Sequence, residues 1–211
     1  MKWIKLLTQN KIPYYIYKLK KEDFIILNKN TDNIIIILSG IIFITKVFTN
    51  KELLPIAILD KHNILITSNK ETKTYYKIVS LEKAYILTLN KYNLKKSTTG
   101  ILIEIELLNN YNKTISNYEA MNNIMSQKKI KNRILQLIFT ICLQFGKIES
   151  QRILIPFKLS NKNIAILTGT SENTVNKIIK RIYKQGIIKE RSNKIISINN
   201  ILNLNLNLNL K

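Results

Sequence analysis

Cysteine, histidine, glycine and proline are all scarce in this 211-residue chain, which holds one Cys, one His, five Gly and three Pro. The single Cys142 excludes an internal disulfide and a four-cysteine iron–sulfur cluster. The single His62 leaves a cupin-type metalloenzyme without its two or three histidines, and a haem sensor without its ligands. No metal site, no cofactor of those classes and no enzymatic activity are therefore expected. Acidic residues are short as well, 13 Asp+Glu against 34 Lys+Arg, for a formal charge of +21. No stretch of about 18 uncharged apolar residues occurs, so no membrane-spanning helix is expected. The opening MKWIKLLTQNKIPYYIYKLK lacks the apolar core and small-residue cleavage site of a secretory signal. It also lacks the Arg/Ser-rich, acid-free run of a transit peptide, so the chain is expected to act in the compartment where it is made.

What the chain does have is apolar content of 45%, enough for one large or two ordinary domains with their own cores. Isoleucine, asparagine and lysine are used heavily, and their codons are AT-rich. The positive charge is uneven: residues 128–194 hold 15 Lys+Arg and 3 Asp+Glu, and 15 less 3 leaves +12. A field of that sign attracts a polyanion.

The most informative stretch is PFKLSNKNIAILTGTSENTVNKIIKRIYKQGIIKERSNKIISIN, residues 156–199. Ser160 suits a helix N-cap, and Ile164, Ala165 and Leu167 are the apolar positions of a short helix. Gly169 accepts the positive φ of a sharp turn, and Thr170 or Ser171 caps a second helix. On that helix Val175, Ile178, Ile179 and Ile182 share one face. Asn173, Asn176, Lys177, Lys180 and Lys184 lie opposite, with Arg181 at the margin. Amides that pair with bases and cations that meet phosphates thus share a surface. Gly186 ends the helix, and Ile187-Ile188 with Ile195 to Ile198 read as a hairpin turning at Ser192-Asn193. The whole reads as a winged helix-turn-helix. Its candidate DNA contacts are Ser160, Asn161, Thr170, Ser171, Glu172, Asn173, Thr174, Asn176, Lys177, Lys180 and Arg181, with Lys194 on the wing.

Upstream, residues 12–89 read as short strands rich in β-branched and aromatic residues. They are Tyr15 to Tyr17, Phe24 to Leu27, Ile34 to Leu38, Ile41 to Val47, Leu54 to Leu59, Tyr75 to Val79 and Ala84 to Leu89. Ser39-Gly40 is expected to close a tight hairpin between two of them. A sandwich or barrel follows from that pattern. Ile101, Ile105, Leu108, Tyr111, Ile115, Tyr118, Asn122 and Met125 then step by three and four, as in a coiled-coil seam with one polar position. The competing reading of this helix is packing on its own barrel. A further helix buries Ile130, Ile134, Leu137, Ile138, Ile141 and Phe145 and stops at Gly146, with Cys142 as a small core residue. Lys147 to Pro156 reads as a linker or turn. The near-repeat of Asn-Leu at the end reads as frayed low-complexity sequence.

A barrel, a long seam helix, a helix ending in QFG, then SNKNIAILTGTSENTVNKIIKRI and a hairpin resemble the Crp/Fnr family of transcription regulators. RILQLIFTICLQFG resembles the global nitrogen regulators of cyanobacteria, the NtcA type, and their plastid-encoded relatives. The resemblance spans roughly residues 12–202. It implies an α+β chain: a jelly-roll, cyclic-nucleotide-binding-like β-barrel over 1–99, a dimerisation helix over 100–127, a winged helix-turn-helix over 128–202, and a tail over 203–211. It further implies a homodimer on a palindromic operator in double-stranded DNA, nitrogen-related targets, RNA polymerase as a further partner, no membrane, and a plastid location, with a bacterial cytoplasm as the alternative. The family's base-reading positions fall on Glu172, Asn173 and Lys177. Glutamate at 172 departs from the arginine of the nitrogen regulators: it accepts from a cytosine amino group, where arginine reads guanine.

The implied effector site departs further. LDKHNILITSNKETKTYYKIV has neither the glycine nor the arginine of a cyclic-nucleotide cassette, so cyclic AMP is not expected. For 2-oxoglutarate the family's arginine falls on Thr114 and its glutamate on Glu119, leaving Lys113, Lys73 or Lys77 as the replacement cation. A weak or absent response to 2-oxoglutarate is expected. The competing reading of the whole chain is a basic protein that coats nucleic acid without sequence preference and carries a degenerate sensor barrel.

Overall fold

The computed structural model describes residues 2–27, 33–67, 74–95, 100–149, 152–191 and 195–199. The chain divides into two compact units, Met1–Asn122 and Asn123–Lys211.

The first unit opens with a helix, α1 (Lys2–Gln9), which buries Trp3 and Leu7. Eight strands follow: β1 (Tyr15–Leu19), β2 (Phe24–Leu27), β3 (Asn33–Ser39), β4 (Ile42–Val47), β5 (Leu53–Leu59), β6 (Ile64–Thr67), β7 (Tyr75–Ser80) and β8 (Ala84–Asn90). They form two antiparallel sheets, ordered β1-β8-β3-β6 and β2-β7-β4-β5, an arrangement of jelly-roll type. Then come α2 (Lys91–Lys95) and the long α3 (Gly100–Met125).

Strand β3 shows why this unit reads as an isoleucine run rather than an alternation. Ile35 and Ile37 pack with Ile42, Ile44, Leu59, Ile78 and Ile86 between the two sheets. Ile34, Ile36 and Leu38 face the other way, into a second cluster with Trp3, Leu7, Leu94, Ile103 and Leu107 from the helices. A strand covered on both faces has no solvent side on which a polar residue would be favoured.

The expected Ser39-Gly40 hairpin is absent. β3 pairs with β6 and β8, and β4 pairs with β5 and β7, so this turn carries the chain from one sheet to the other. Gly40 takes φ 85°, and a Cβ there would lie 2.5 Å from the Lys83 carbonyl oxygen, which leaves room for glycine alone. The strand β6 and the helices α1 and α2 complete the unit beyond what the sequence pattern indicated.

In the second unit α4 (Ile130–Phe145) packs on α5 (Asn161–Thr168), α5 on α6 (Glu172–Lys184), and α6 on β11 (Ile188–Arg191). Residues 147–156 are not a plain linker: β9 (Lys147–Glu149) and β10 (Arg152–Leu154) pair with each other, and β10 pairs with β12 (Ile195–Asn199). The wing is thus a four-stranded sheet, β11-β12-β10-β9. Its turn at Ser192-Asn193 and the Asn-Leu tail lie outside the described residues.

Candidate nucleic-acid interface

Local chemistry sets the geometry of α5 and α6. The Ser160 hydroxyl accepts from the Asn163 amide at 3.2 Å, satisfying one of the free donors of the first turn of α5. At the other end Gly169 adopts φ 61° in the left-handed region. Its amide donates to the Ile166 carbonyl at 3.3 Å and that of Thr170 to the Ala165 carbonyl at 3.0 Å, a Schellman-type closure. Two residues later the Ser171 hydroxyl caps α6, accepting from the Thr174 amide at 3.2 Å and lying 2.9 Å from the Thr174 hydroxyl. Of the two cap candidates, Ser171 is the one used.

Arg133 on α4 fastens this turn. Its Nε donates to the Gln127 carbonyl at 2.8 Å and a terminal nitrogen to the Thr168 carbonyl at 3.4 Å. Sequence reasoning passed over Arg133. Its signal was a lone arginine in an otherwise apolar-faced helix, too weak to single out.

Val175 and Ile182 of α6 are buried, while Asn173, Lys177, Lys180 and Lys184 are exposed. Their spacing of four, three and four residues puts them in one stripe opposite the buried face. Glu172 and Arg181 are exposed at its two margins. Glu172 lies in the first turn and Arg181 and Lys184 in the last, each favourable to the helix dipole. Asn176 is placed differently from its neighbours: its side-chain oxygen accepts from the Asn161 side chain, bracing α6 against α5. The candidates Ser160, Ser171 and Thr174 are likewise engaged in caps, and Thr170 in the turn by its amide. Lys194 lies outside the described residues.

The described effector candidates differ in burial and in partners. Thr114 is wholly buried; its hydroxyl accepts from the Ile64 amide at 2.9 Å and donates to the Asn110 carbonyl at 3.3 Å. Lys113 pairs with Asp60 at 3.2 Å, on the same turn of chain. Asn63, also fully buried, accepts from the Asp60 amide at 2.8 Å and from the Asn117 side chain at 3.2 Å. Lys113, Thr114 and Asn117 of α3 therefore clamp the turn that leads into β6. Glu119 is exposed, and the Lys77 ammonium sits 4.1 Å from the Phe24 ring centroid, a cation–π contact with an exposed ring. Tyr118 packs against the inter-sheet core, and burial raises its phenol pKa above the ordinary value. Lys73 lies outside the described residues.

Among the described residues no group of three or more His, Cys, Asp or Glu is arranged to hold a metal ion, and no helix is long and apolar enough to cross a membrane.

Residues 130–205 match the Crp-like helix-turn-helix domain. The chain is 24% identical over 197 residues to a Porphyra purpurea protein that carries the name HTH-type transcriptional regulator ycf28, covering 92% of this chain and 82% of that one. Its fold is similar to that of a CooA mutant from Carboxydothermus hydrogenoformans, with a TM-score of 0.69 at 18% identity, over 94% of this chain and 87% of the other. It is also similar to a CRP-family transcriptional regulator from Thermus thermophilus, with a TM-score of 0.69 at 13% identity, over 88% of this chain and 93% of the other.

Proposed function

We propose that this chain, a member of the Crp/Fnr family with a Crp-like helix-turn-helix domain, is a sequence-specific DNA-binding transcription regulator that occupies a palindromic operator as a homodimer. The observation that carries the reading is the stripe of Asn173, Lys177, Lys180 and Lys184, presented on a helix whose entry turn is fastened by Gly169, Ser171 and Arg133. A rigid turn matters because base readout demands a fixed helix direction, whereas charge alone does not.

Dimerisation is supported by α3. Its inward face buries Ile103, Leu107, Thr114 and Met121, yet Ile105, Leu108 and Ile115 remain 51%, 60% and 38% exposed. One face of this helix thus lies on its own barrel, Tyr118 of the expected seam included, and Ile105, Leu108 and Ile115 form an exposed apolar row. A second copy of α3 is the occupant that fits a row of that spacing.

Nitrogen-related targets and RNA polymerase as a partner rest on the sequence resemblance alone. We read the compartment as a plastid, and the likeness to a Porphyra purpurea protein supports this. DNA binding is expected to respond weakly or not at all to 2-oxoglutarate, because Thr114 is fully committed within the fold and Lys113 is paired with Asp60.

The charge of residues 128–194 favours a second reading, a protein that coats nucleic acid without preference. The two separate in one measurement, the affinity for a site enriched from random DNA against that for a scrambled duplex at several salt concentrations. The operator-binding reading expects roughly 10³-fold preference or more. Equal affinities with a steep salt dependence would establish the coating protein instead.

A further inference from the structure

We propose that the first unit carries a binding site for a small aliphatic carboxylate, of fatty-acid type, in a cavity between its sheet and the helices α2 and α3. Every residue of the site belongs to the first unit, so it stands or falls separately from DNA binding.

The cavity has a volume of about 250 Å³. The sheet contributes Ile34 and Ile66, which face each other across the β3–β6 pair. α2 contributes Lys91 and Leu94, three residues apart, and α3 contributes Leu107, Leu108 and Tyr111 from little more than one turn. Ile34, Leu94 and Leu107 belong to the apolar cluster on the helix side of β3, and Ile66 packs against that cluster. The cavity thus lies across the sheet from the inter-sheet core, where Tyr118 packs, and shares no residue with the effector candidates Lys77, Lys113, Thr114 and Glu119.

Protein interiors are close-packed, and an apolar void forfeits dispersion contacts that a ligand filling it would recover. Of the described lining residues five are Ile or Leu, so the body of such a ligand is aliphatic. The other two, Lys91 and Tyr111, each offer a hydrogen-bond donor. Among the described residues, neither the Lys91 ammonium nor the Tyr111 hydroxyl has an ion pair or a side-chain hydrogen bond. Lys91 and Leu108 are exposed while Ile34, Leu94 and Leu107 are buried, which gives the cavity a wet end with a cation and a dry end on the sheet. One cation and one hydroxyl match one carboxylate. The second charge of a dicarboxylate or a nucleotide would sit against Ile and Leu without a partner. A cationic head would find no counter-charge, since no described lining residue is acidic. The volume is below the roughly 300–1,000 Å³ of pockets for drug-sized ligands, which restricts the acid to a short or medium chain.

The test is calorimetric titration of the full-length chain with straight-chain carboxylates from butanoate to dodecanoate, each below its micellar concentration. Saturable binding of one ligand per chain is expected. Affinity should rise about four-fold per added methylene and level off once the cavity is full. Lys91→Met keeps the aliphatic stem and removes the charge. It should weaken octanoate about five-fold, as for a partly exposed ion pair, and leave octanol unaffected. The position is exposed, so the variant should melt as wild type does. A photoreactive diazirine analogue of octanoate should label residues 91–94 or 107–111. Binding that does not saturate, or that tightens with chain length without limit, overturns the proposal. Equal octanoate affinity in wild type and Lys91→Met, or label confined to other segments, overturns it too. Octanoate affinity that falls as protein concentration rises would make a second copy, seated over Leu108, the occupant of the cavity in place of a ligand. None of these outcomes bears on DNA binding.

Discussion

The Ile64 amide donates a 2.9 Å hydrogen bond to the Thr114 hydroxyl, and neither residue has exposed surface. The contact joins the start of β6 to the middle of α3. With the bond from Asn117 to Asn63 and the Lys113–Asp60 pair, it holds a turn of the sheet against the helix that presents the free apolar face.

Thr114→Val keeps the volume and removes the oxygen. It leaves the Ile64 amide buried without a partner, at a cost of about 1–3 kcal/mol. Denaturant unfolding should show that loss as a lower midpoint at constant slope. Thr114→Arg should also destabilise, since a guanidinium has no solvent at a wholly buried position. A strong gain of 2-oxoglutarate response in that variant, without loss of stability, would contradict this account.

The exposed apolar row on α3 tests the proposed homodimer. Leu108→Glu with Ile115→Glu sets like charges against each other along an apolar seam, and sedimentation should report monomers. Tyr118 is left intact because it packs against the inter-sheet core, where a substitution would confuse folding with association. Melting of the monomeric unit should stay close to that of wild type at low protein concentration. A double variant that remains dimeric would locate the interface elsewhere.

Gly169→Ala tests the turn. The left-handed φ of 61° strains any residue with a Cβ, and that atom would come within 3.1 Å of the Met125 methyl. A loss of about 1–2 kcal/mol is expected. DNA affinity should fall with it, because the carbonyl of the preceding Thr168 is the one that Arg133 holds. Unaltered stability would show that the turn relaxes freely.

Burial pushes the Cys142 thiol up to about 12, and the residue is 3% exposed. The thiol is therefore neutral and shielded in the native state at neutral pH, and thiolate is the reactive form. Alkylation at pH 7–8 should be slow in the native protein and fast in denaturant, with one adduct per chain. At every pH from 7 to 9 the unfolded protein should react far faster than the folded one. Rapid labelling under native conditions would place Cys142 at the surface.

Much of the second unit was legible because its signals are local. Ser160, Gly169 and Ser171 act on groups within a few residues of themselves, so their spacing alone announces two capped helices and a turn. The strands of the first unit were legible for the same reason, as runs of β-branched residues. The segment ILIT was not, since only pairing with β3 makes it a strand. Nor was α1, a short amphipathic piece whose Trp3 and Leu7 acquire meaning from the sheet beneath them.

By itself the sequence determined the helix-turn-helix, its basic face and the β-rich first half. Periodicity and capping suffice for those. Only the tertiary structure decided that Ser39-Gly40 crosses between sheets, because a hairpin and a crossover use the same turn residues. Only it showed which side chains are already engaged. Asn176 and Thr114 read in the sequence as free polar groups, yet one is held by Asn161, 15 residues away, and the other by Ile64, 50 residues away. Whether a polar side chain remains available to a ligand depends on which distant group folding brings within hydrogen-bond reach, and no local pattern records that distance.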